Sequence, residues 1–224
     1  MFEKLSREQI LDWDYNSWFE AIKYWDKLSI NFDNAICLEL GARKGGLSLW
    51  LLSKGAKVVC SDLNNPQSIF VCPNEVANSN ISFESIDILN IPYENTFDIV
   101  IFKSVIGGVY NGDNQKLNLI FSQIYKALKP GGYLLFAENS KSTPFHSFLR
   151  KNISNWRKSW NYISYDELKN EFKAFNQFEI KSFGFFSLLI HNKYINFLLF
   201  LIDKLINPFI PLKIKYIYYG YAKK

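Results

Sequence analysis

A chain of 224 residues, 48% hydrophobic and 21% charged, can bury one well-cored α/β domain and has no length for a second. Its three cysteines, Cys37, Cys60 and Cys72, are odd in number and lack C-x-x-C or zinc spacing, which argues against a disulfide framework or a zinc site. The net charge of +5 is modest and weighted toward residues after 140; it reads as a solvated basic surface, with an anionic substrate or a membrane surface as alternatives.

In chain order, Met1 to Asp14 is polar and acidic and does not read as an export signal, so a cytoplasmic chain is expected. Arg7-Glu8-Gln9-Ile10 opens a helical region that runs through Trp13, Tyr15, Trp18, Phe19, Tyr24 and Trp25. Trp18, Ile22 and Trp25 fall on one helical face that would pack on a sheet. Residues 35–62 then read AICLELGARKGGLSLWLLSKGAKVVCSD. Ile36–Leu40 is a strand carrying Glu39 near its carboxyl end. Gly41, Gly45 and Gly46 make a turn that lets a ligand approach the backbone closely. Leu47–Lys54 is a short helix stopped by Gly55, and Lys57–Cys60 is a second strand. Asp62 follows it, where a carboxylate suits the two hydroxyls of a ribose. This βαβ unit is of the kind that holds a nucleoside-like cofactor. The acid ahead of the first glycine and the missing pyrophosphate spacing argue against a dinucleotide.

Further along, Phe83–Ile88 places Asp87 25 residues after Asp62, behind a third strand. Phe97–Phe102 is a buried-strand run. Leu128–Phe136 gives a helix end, a Pro130-Gly131-Gly132 turn and a fifth strand. Phe178–Phe186 and Lys215–Ala222 read as strands six and seven.

These motifs, in this order, resemble the class I S-adenosylmethionine-dependent methyltransferases over about residues 35–140. The resemblance implies an α/β, Rossmann-like, seven-stranded, mostly parallel doubly wound sheet with an antiparallel last strand. It implies S-adenosyl-L-methionine as cofactor, held by Glu39, Gly41, Ala42, Arg43, Gly45, Asp62, Leu63, Asp87, Ile88, Lys103 and Ser104. Asp87 would accept from the adenine amino group, with Ile88 packed on the ring. One departure stands out: Arg43 occupies the family's middle-glycine position, and arginine disfavours positive φ. In the family, N-terminal helices often cover the cofactor, so residues 1–30 are expected to form a lid, with Tyr15 and Trp18 on the substrate side. KSVIGGV, AENSKSTPFHSFLRK and WRKSWNYIS resemble, more narrowly, methyltransferases of bacterial surface-polysaccharide gene clusters. A small-molecule acceptor is implied, a sugar that is free, phosphorylated or lipid-linked, methylated on oxygen in preference to nitrogen.

An alcohol acceptor gains from a base. His146, on the loop after strand five, suits that role; a capping histidine at a helix start is the other reading. Glu138 is the second candidate base, Asn139 a candidate substrate contact, and His191 reads as structural. No metal-ligand cluster is visible, so no metal is expected. Residues 187–212 form an apolar helical insertion before the last strand. Its core, residues 194–206, falls short of the roughly twenty residues a bilayer requires. It would be buried against the domain, form a homodimer contact, or lie as a peripheral anchor on the inner membrane face. A nucleic-acid methyltransferase is an alternative, but nucleic acid is not expected because Phe102-Lys103-Ser104-Val105 replaces the Asp/Asn-Pro-Pro-aromatic motif of base methylation. A non-catalytic cofactor-binding module is the other alternative.

Overall fold

The computed structural model describes residues 5–70, 80–153, 160–187 and 192–224, with the backbone alone for 149–153 and 193. Cys72, His191 and part of the WRKSWNYIS segment lie outside the described residues. Two helices, α1 (Arg7–Leu11) and α2 (Tyr15–Trp25), precede the βαβ unit β1 (Ile36–Leu40), α3 (Gly46–Ser53) and β2 (Lys57–Asp62). Then come β3 (Ile81–Ser85), β4 (Phe97–Lys103), α4 (Ile106–Val109), α5 (Asn114–Ala127) and β5 (Leu128–Asn139). The chain ends with α6 (Pro144–Ile153), α7 (Tyr165–Glu171), β6 (Gln177–Phe183), α8 (Lys193–Ile206) and β7 (Ile217–Lys223).

The strands form one sheet ordered β3-β2-β1-β4-β5-β7-β6. All neighbouring pairs are parallel except those of β7, which runs antiparallel to both β5 and β6. This is the sheet implied by the resemblance. The strand order reverses between β1 and β4, and the crevice at such a reversal is where this architecture places ligands.

Apolar residues line both faces of the sheet. On one face Trp18, Ile22 and Trp25 of α2, all at most 1% exposed, pack with Leu47 and Leu51 of α3. The Trp25 indole donates to the Gly220 carbonyl of β7. On the other face Ile120, Phe121 and Ile124 of α5 pack against Leu38, Val100 and Phe136. Cys37 and Cys60 are buried thiols, and burial pushes both well above the ordinary thiol pKa.

Several boundaries differ from the sequence reading: α3 begins one residue earlier, β6 ends at Phe183 and β7 runs from Ile217 to Lys223. β2 continues to Asp62, so the acid is the last strand residue. Pro130-Gly131-Gly132 lies within β5, where the pairing with β4 shifts register between Phe97 and Ile99. Gly131, at φ 79°, lets the strand bulge and continue.

The tail helix α8 is amphipathic, but its amide and its acid, Asn196 and Asp203, face inward. Asn196, Phe200 and Asp203 are buried, as expected of positions i, i+4 and i+7 on one helical face. The Asp203 carboxylate accepts the backbone N–H groups of Phe186 and Ser187. Asn196 donates to the Ser187 carbonyl and to Asp14. The apolar residues therefore point outward, with Tyr194, Leu198 and Leu205 between 60% and 87% exposed. Of the three roles expected for this helix, burial against the domain holds for one stripe only. Among the described residues no helix is long and apolar enough to cross a membrane.

Candidate active site

The turn after β1 is organised around two carboxylates. Glu39, 3% exposed, accepts from the backbone N–H and hydroxyl of Ser48 at 2.7 and 2.5 Å, which ties β1 to the first turn of α3. Burial nevertheless pushes its pKa up to about 7, against the lowering effect of the Ser48 bonds. Asp62 accepts the Arg43 N–H at 2.8 Å and its neighbour Leu63's N–H at 2.7 Å. Arg43 takes the left-handed conformation expected of glycine, with φ 51°. The Asp62 bond and an ion pair to Asp12 at 3.2 Å hold it there. The arginine substitution is thus absorbed by local contacts, and the chain keeps the turn.

The second wall comes from the N-terminus. A Cβ on Gly46 would stand 2.2 Å from the Ile10 carbonyl oxygen and 2.8 Å from that of Gln9; α1 rests directly on the glycine turn. Asp12, itself at φ 62°, bridges to both Arg43 and Lys44 and fastens α1 down. Residues at the end of α1, the turn after β1, and Lys103 and Ser104 at the end of β4 enclose a cavity of about 1020 Å³. Lys103 lies in its wall with its ammonium 4.6 Å from the Trp13 ring centroid and 5.1 Å from that of Trp18. Desolvation lowers its pKa to about 8, partly offset by the charge of Asp12. Among the described residues no carboxylate forms an ion pair with it.

Comparison with known proteins agrees with this geometry. Residues 38–136 match the family model described as a methyltransferase domain. No curated protein matches the chain at a significant level. A phosphoethanolamine N-methyltransferase 2 of Haemonchus contortus, solved with S-adenosyl-L-methionine, superposes with TM-score 0.64 at 17% identity, covering 92% of this chain and 52% of that one. The chain thus spans about half the length of that neighbour. A SAM-dependent methyltransferase of Archaeoglobus fulgidus gives TM-score 0.61 at 15% identity, covering 98% and 95%. A possible histamine N-methyltransferase of Thermotoga maritima gives 0.61 at 15%, covering 94% and 91%. The shared feature is the class I methyltransferase fold.

Of the residues singled out in the sequence, Glu39, Gly41, Ala42, Arg43, Lys103 and Ser104 line one cavity. Gly45, at φ 73°, caps α3 beside it. Asn139 supports the site from behind by donating to the Ser104 hydroxyl. The residues expected around the adenosine lie outside the cavity lining. Asp62 turns its carboxylate to the backbone. Leu63 is 67% exposed. Asp87 is exposed and accepts the Leu89 N–H in its own turn. Ile88 is buried in the core on the α5 side. The ring of Phe70 packs against Gly45, 2.4 Å from where a Cβ would stand.

The substrate-side and catalytic expectations need correction. Trp18 is fully buried core, and Tyr15 packs against that core; neither lines the cavity, because the turn at Asp12–Asp14 presents Trp13 to it instead. Glu138, fully buried, accepts the N–H groups of Val105, Ile106 and Asn139, each at 2.8 Å. Its carboxylate braces the start of α4, and burial raises its pKa to about 7. His146 is also fully buried. Its Nε2 lies 2.7 Å from the Phe185 carbonyl, so it donates there. That leaves Nδ1 as the acceptor, 2.6 Å from the Thr143 hydroxyl. The imidazole pins α6 to the segment after β6 and does not reach the cavity.

Asp12 and Trp160 are among the lining residues not singled out in the sequence. Asp12 carries no local motif, and its role appears only when α1 lies on the turn. Trp160 reaches the cavity across α4, where a Cβ on Gly107 would meet its indole nitrogen at 1.9 Å. The Gly107-Gly108 pair of KSVIGGV leaves room for that ring.

Proposed function

We propose that this domain moves the methyl group of S-adenosylmethionine to an oxygen of a small polar acceptor, a sugar or phosphorylated sugar intermediate of surface-polysaccharide synthesis. The observation that carries this reading is the placement of Glu39 and Lys103 in one cavity beside the glycine turn. The cofactor's amino-acid tail carries an ammonium and a carboxylate, and these two side chains match both charges. The residues present therefore fit the tail of the cofactor. Asp62, at the end of β2, keeps lone pairs beyond those given to the backbone, which supports its reading as the acceptor for the ribose hydroxyls. When bound, the cofactor supplies a methyl group already activated on a sulfonium.

The protein's part is positioning, water exclusion and acceptance of a proton. Residues 6–13 form the roof, which supports their reading as a lid that shields the cavity from solvent. Trp13 and Trp160 offer apolar ring surface, and Ser6, Gln9 and Ser104 offer hydrogen-bonding groups, a mixture suited to a sugar's two kinds of face. With His146 elsewhere, proton acceptance falls to a carboxylate of the lining, Glu8 or Asp12. Those same carboxylates support a second reading, methylation of an amine, the type of acceptor suggested by the name of the Haemonchus neighbour.

Calorimetry with S-adenosylhomocysteine should show tight binding, and NAD none; failure to bind either S-adenosyl ligand overturns the enzyme reading. Transfer of labelled methyl to sugar nucleotides or lipid-linked sugars, with RNA and small amines in parallel, then distinguishes the acceptors. Uptake by RNA or amines alone would displace the sugar proposal.

A further inference from the structure

We propose that the outward face of α8, with the aromatic residues beside it, is a docking surface for an anionic phospholipid membrane. Tyr194, Ile195, Phe197, Leu198, Leu201 and Leu205 of this helix are between 42% and 87% exposed. The helix is held by the opposite stripe, where Asn196 and Asp203 bond to the chain at 185–187 and to Asp14. Its orientation is therefore fixed by polar anchors, and the exposed apolar stripe is part of the folded arrangement. Phe209, just beyond the helix, is 85% exposed.

The same 185–187 segment joins this face to a second one. The rings of Phe145, His146, Phe185 and Phe186 follow one another at centroid separations of 5.9, 4.5 and 5.0 Å. Phe145 and Phe148 of α6 are 55% and 66% exposed. The 185–187 segment thus bonds to the inward stripe of α8 on one side and stacks with the rings beside α6 on the other. A surface of this extent marks a partner.

Charge selects the occupant. Residues 141–224 hold 14 of the chain's 26 Lys and Arg but only 5 of its 21 Asp and Glu. Within 141–158 there are five basic residues and no acidic one. The acid on α8, Asp203, is 1% exposed and faces inward, whereas Lys204 is exposed. An exposed apolar stripe with Lys204 on the same helix of 14 residues, in a basic half of the chain, is the pattern of a helix lying in the headgroup layer. The anchor from Asn196 to Asp14 links this surface to the turn bearing Trp13, so docking would bring the cavity's roof close to the lipid. The inference rests on the surface alone and is independent of the methyl acceptor.

The test is flotation of the full chain with phosphatidylcholine vesicles, alone or with phosphatidylglycerol added. Binding should be at least tenfold stronger to the anionic vesicles and should weaken in high salt. The variant Phe197→Ser/Leu198→Ser/Leu205→Ser changes only exposed positions, and circular dichroism checks that it folds. It should lose at least tenfold in vesicle binding while keeping its affinity for S-adenosylhomocysteine. Absence of wild-type binding to either vesicle, or unchanged binding by the folded variant, overturns the proposal. A wild-type dimer in sedimentation velocity that the triple variant dissociates, with no vesicle binding, overturns it in favour of a second copy of the chain.

Discussion

The ammonium of Lys103 sits 4.6 Å from the centroid of the Trp13 ring, a contact joining the end of β4 to the N-terminal roof. The ring face attracts the cation but does not replace a carboxylate, and the desolvated charge keeps its pKa near 8. A ligand carboxylate entering here would relieve that cost. Lys103→Met should therefore weaken S-adenosylhomocysteine binding by about tenfold or more, the scale of a hydrogen bond to a charged group. The free protein should be no less stable, because the variant removes a desolvated charge. Calorimetry and thermal melts read the two effects separately. Equal affinity would remove Lys103 from the cofactor site.

Gly46 gives a second, steric test of the roof. With the Ile10 oxygen 2.2 Å from a would-be Cβ, Gly46→Ala must move backbone, since a carbonyl cannot rotate away as a side-chain tip can. A cost of about 1–3 kcal/mol is expected from overpacking. Hydrogen exchange in residues 6–13 should quicken, and cofactor affinity should fall. Unchanged exchange there, with normal binding, would show that α1 is not a working wall of the site.

The sheet was legible in the sequence because each strand of the parallel core is an unbroken apolar run bounded by a turn, as in Ile36–Leu40 and Phe97–Phe102. The glycine turn was legible through Gly41, Gly45 and Gly46, whose spacing encodes a local conformation. Asp12, Trp13 and Trp160 were harder to assign because their role depends on long-range packing and carries no local spacing. His146 misled for a related reason. Its position after β5 fits a rim residue, but the direction of its ring depends on Phe185, 39 residues later. The outward turn of α8 was equally hidden, since an apolar pattern alone does not say which stripe faces the domain.

The buried carboxylates predict an unusual pH dependence. Burial raises Glu39 and Glu138 to about 7, above the roughly 4.3 of an unfolded glutamate. Between those values the folded chain holds protons that the unfolded chain releases, so stability falls as pH rises through that window. Lys103 acts oppositely: its folded pKa of about 8 lies below the unfolded value near 10.4, so its contribution recovers only above about pH 8. Asp98, Glu167 and Glu179 are held below their ordinary range and lose stability only under stronger acid. The melting temperature should be higher near pH 5.5 than near pH 7.5. Glu39→Gln/Glu138→Gln should flatten that difference while keeping acceptor oxygens for Ser48 and the α4 backbone. A wild-type melting temperature that climbs steadily from pH 5.5 to 7.5 would contradict the assignment.

His146 separates a structural from a chemical role. A base would show as turnover: removing it should cost about a hundredfold or more, with stability little changed. The observed contacts give the reverse expectation. His146→Ala leaves the Phe185 carbonyl and the Thr143 hydroxyl without their imidazole partner, and it opens space between the rings of Phe185 and Tyr216. A loss of about 2–4 kcal/mol is expected from a buried hydrogen bond together with lost packing. Turnover per folded molecule should stay within about threefold, because the cavity lies elsewhere. Urea melts give the first quantity, and initial rates at a temperature where the variant is fully folded give the second. His146→Gln, which retains a donor, should recover part of the stability. A folded, stable His146→Ala protein with turnover reduced a hundredfold would restore the imidazole to the reaction and require α6 to move toward the cavity during catalysis.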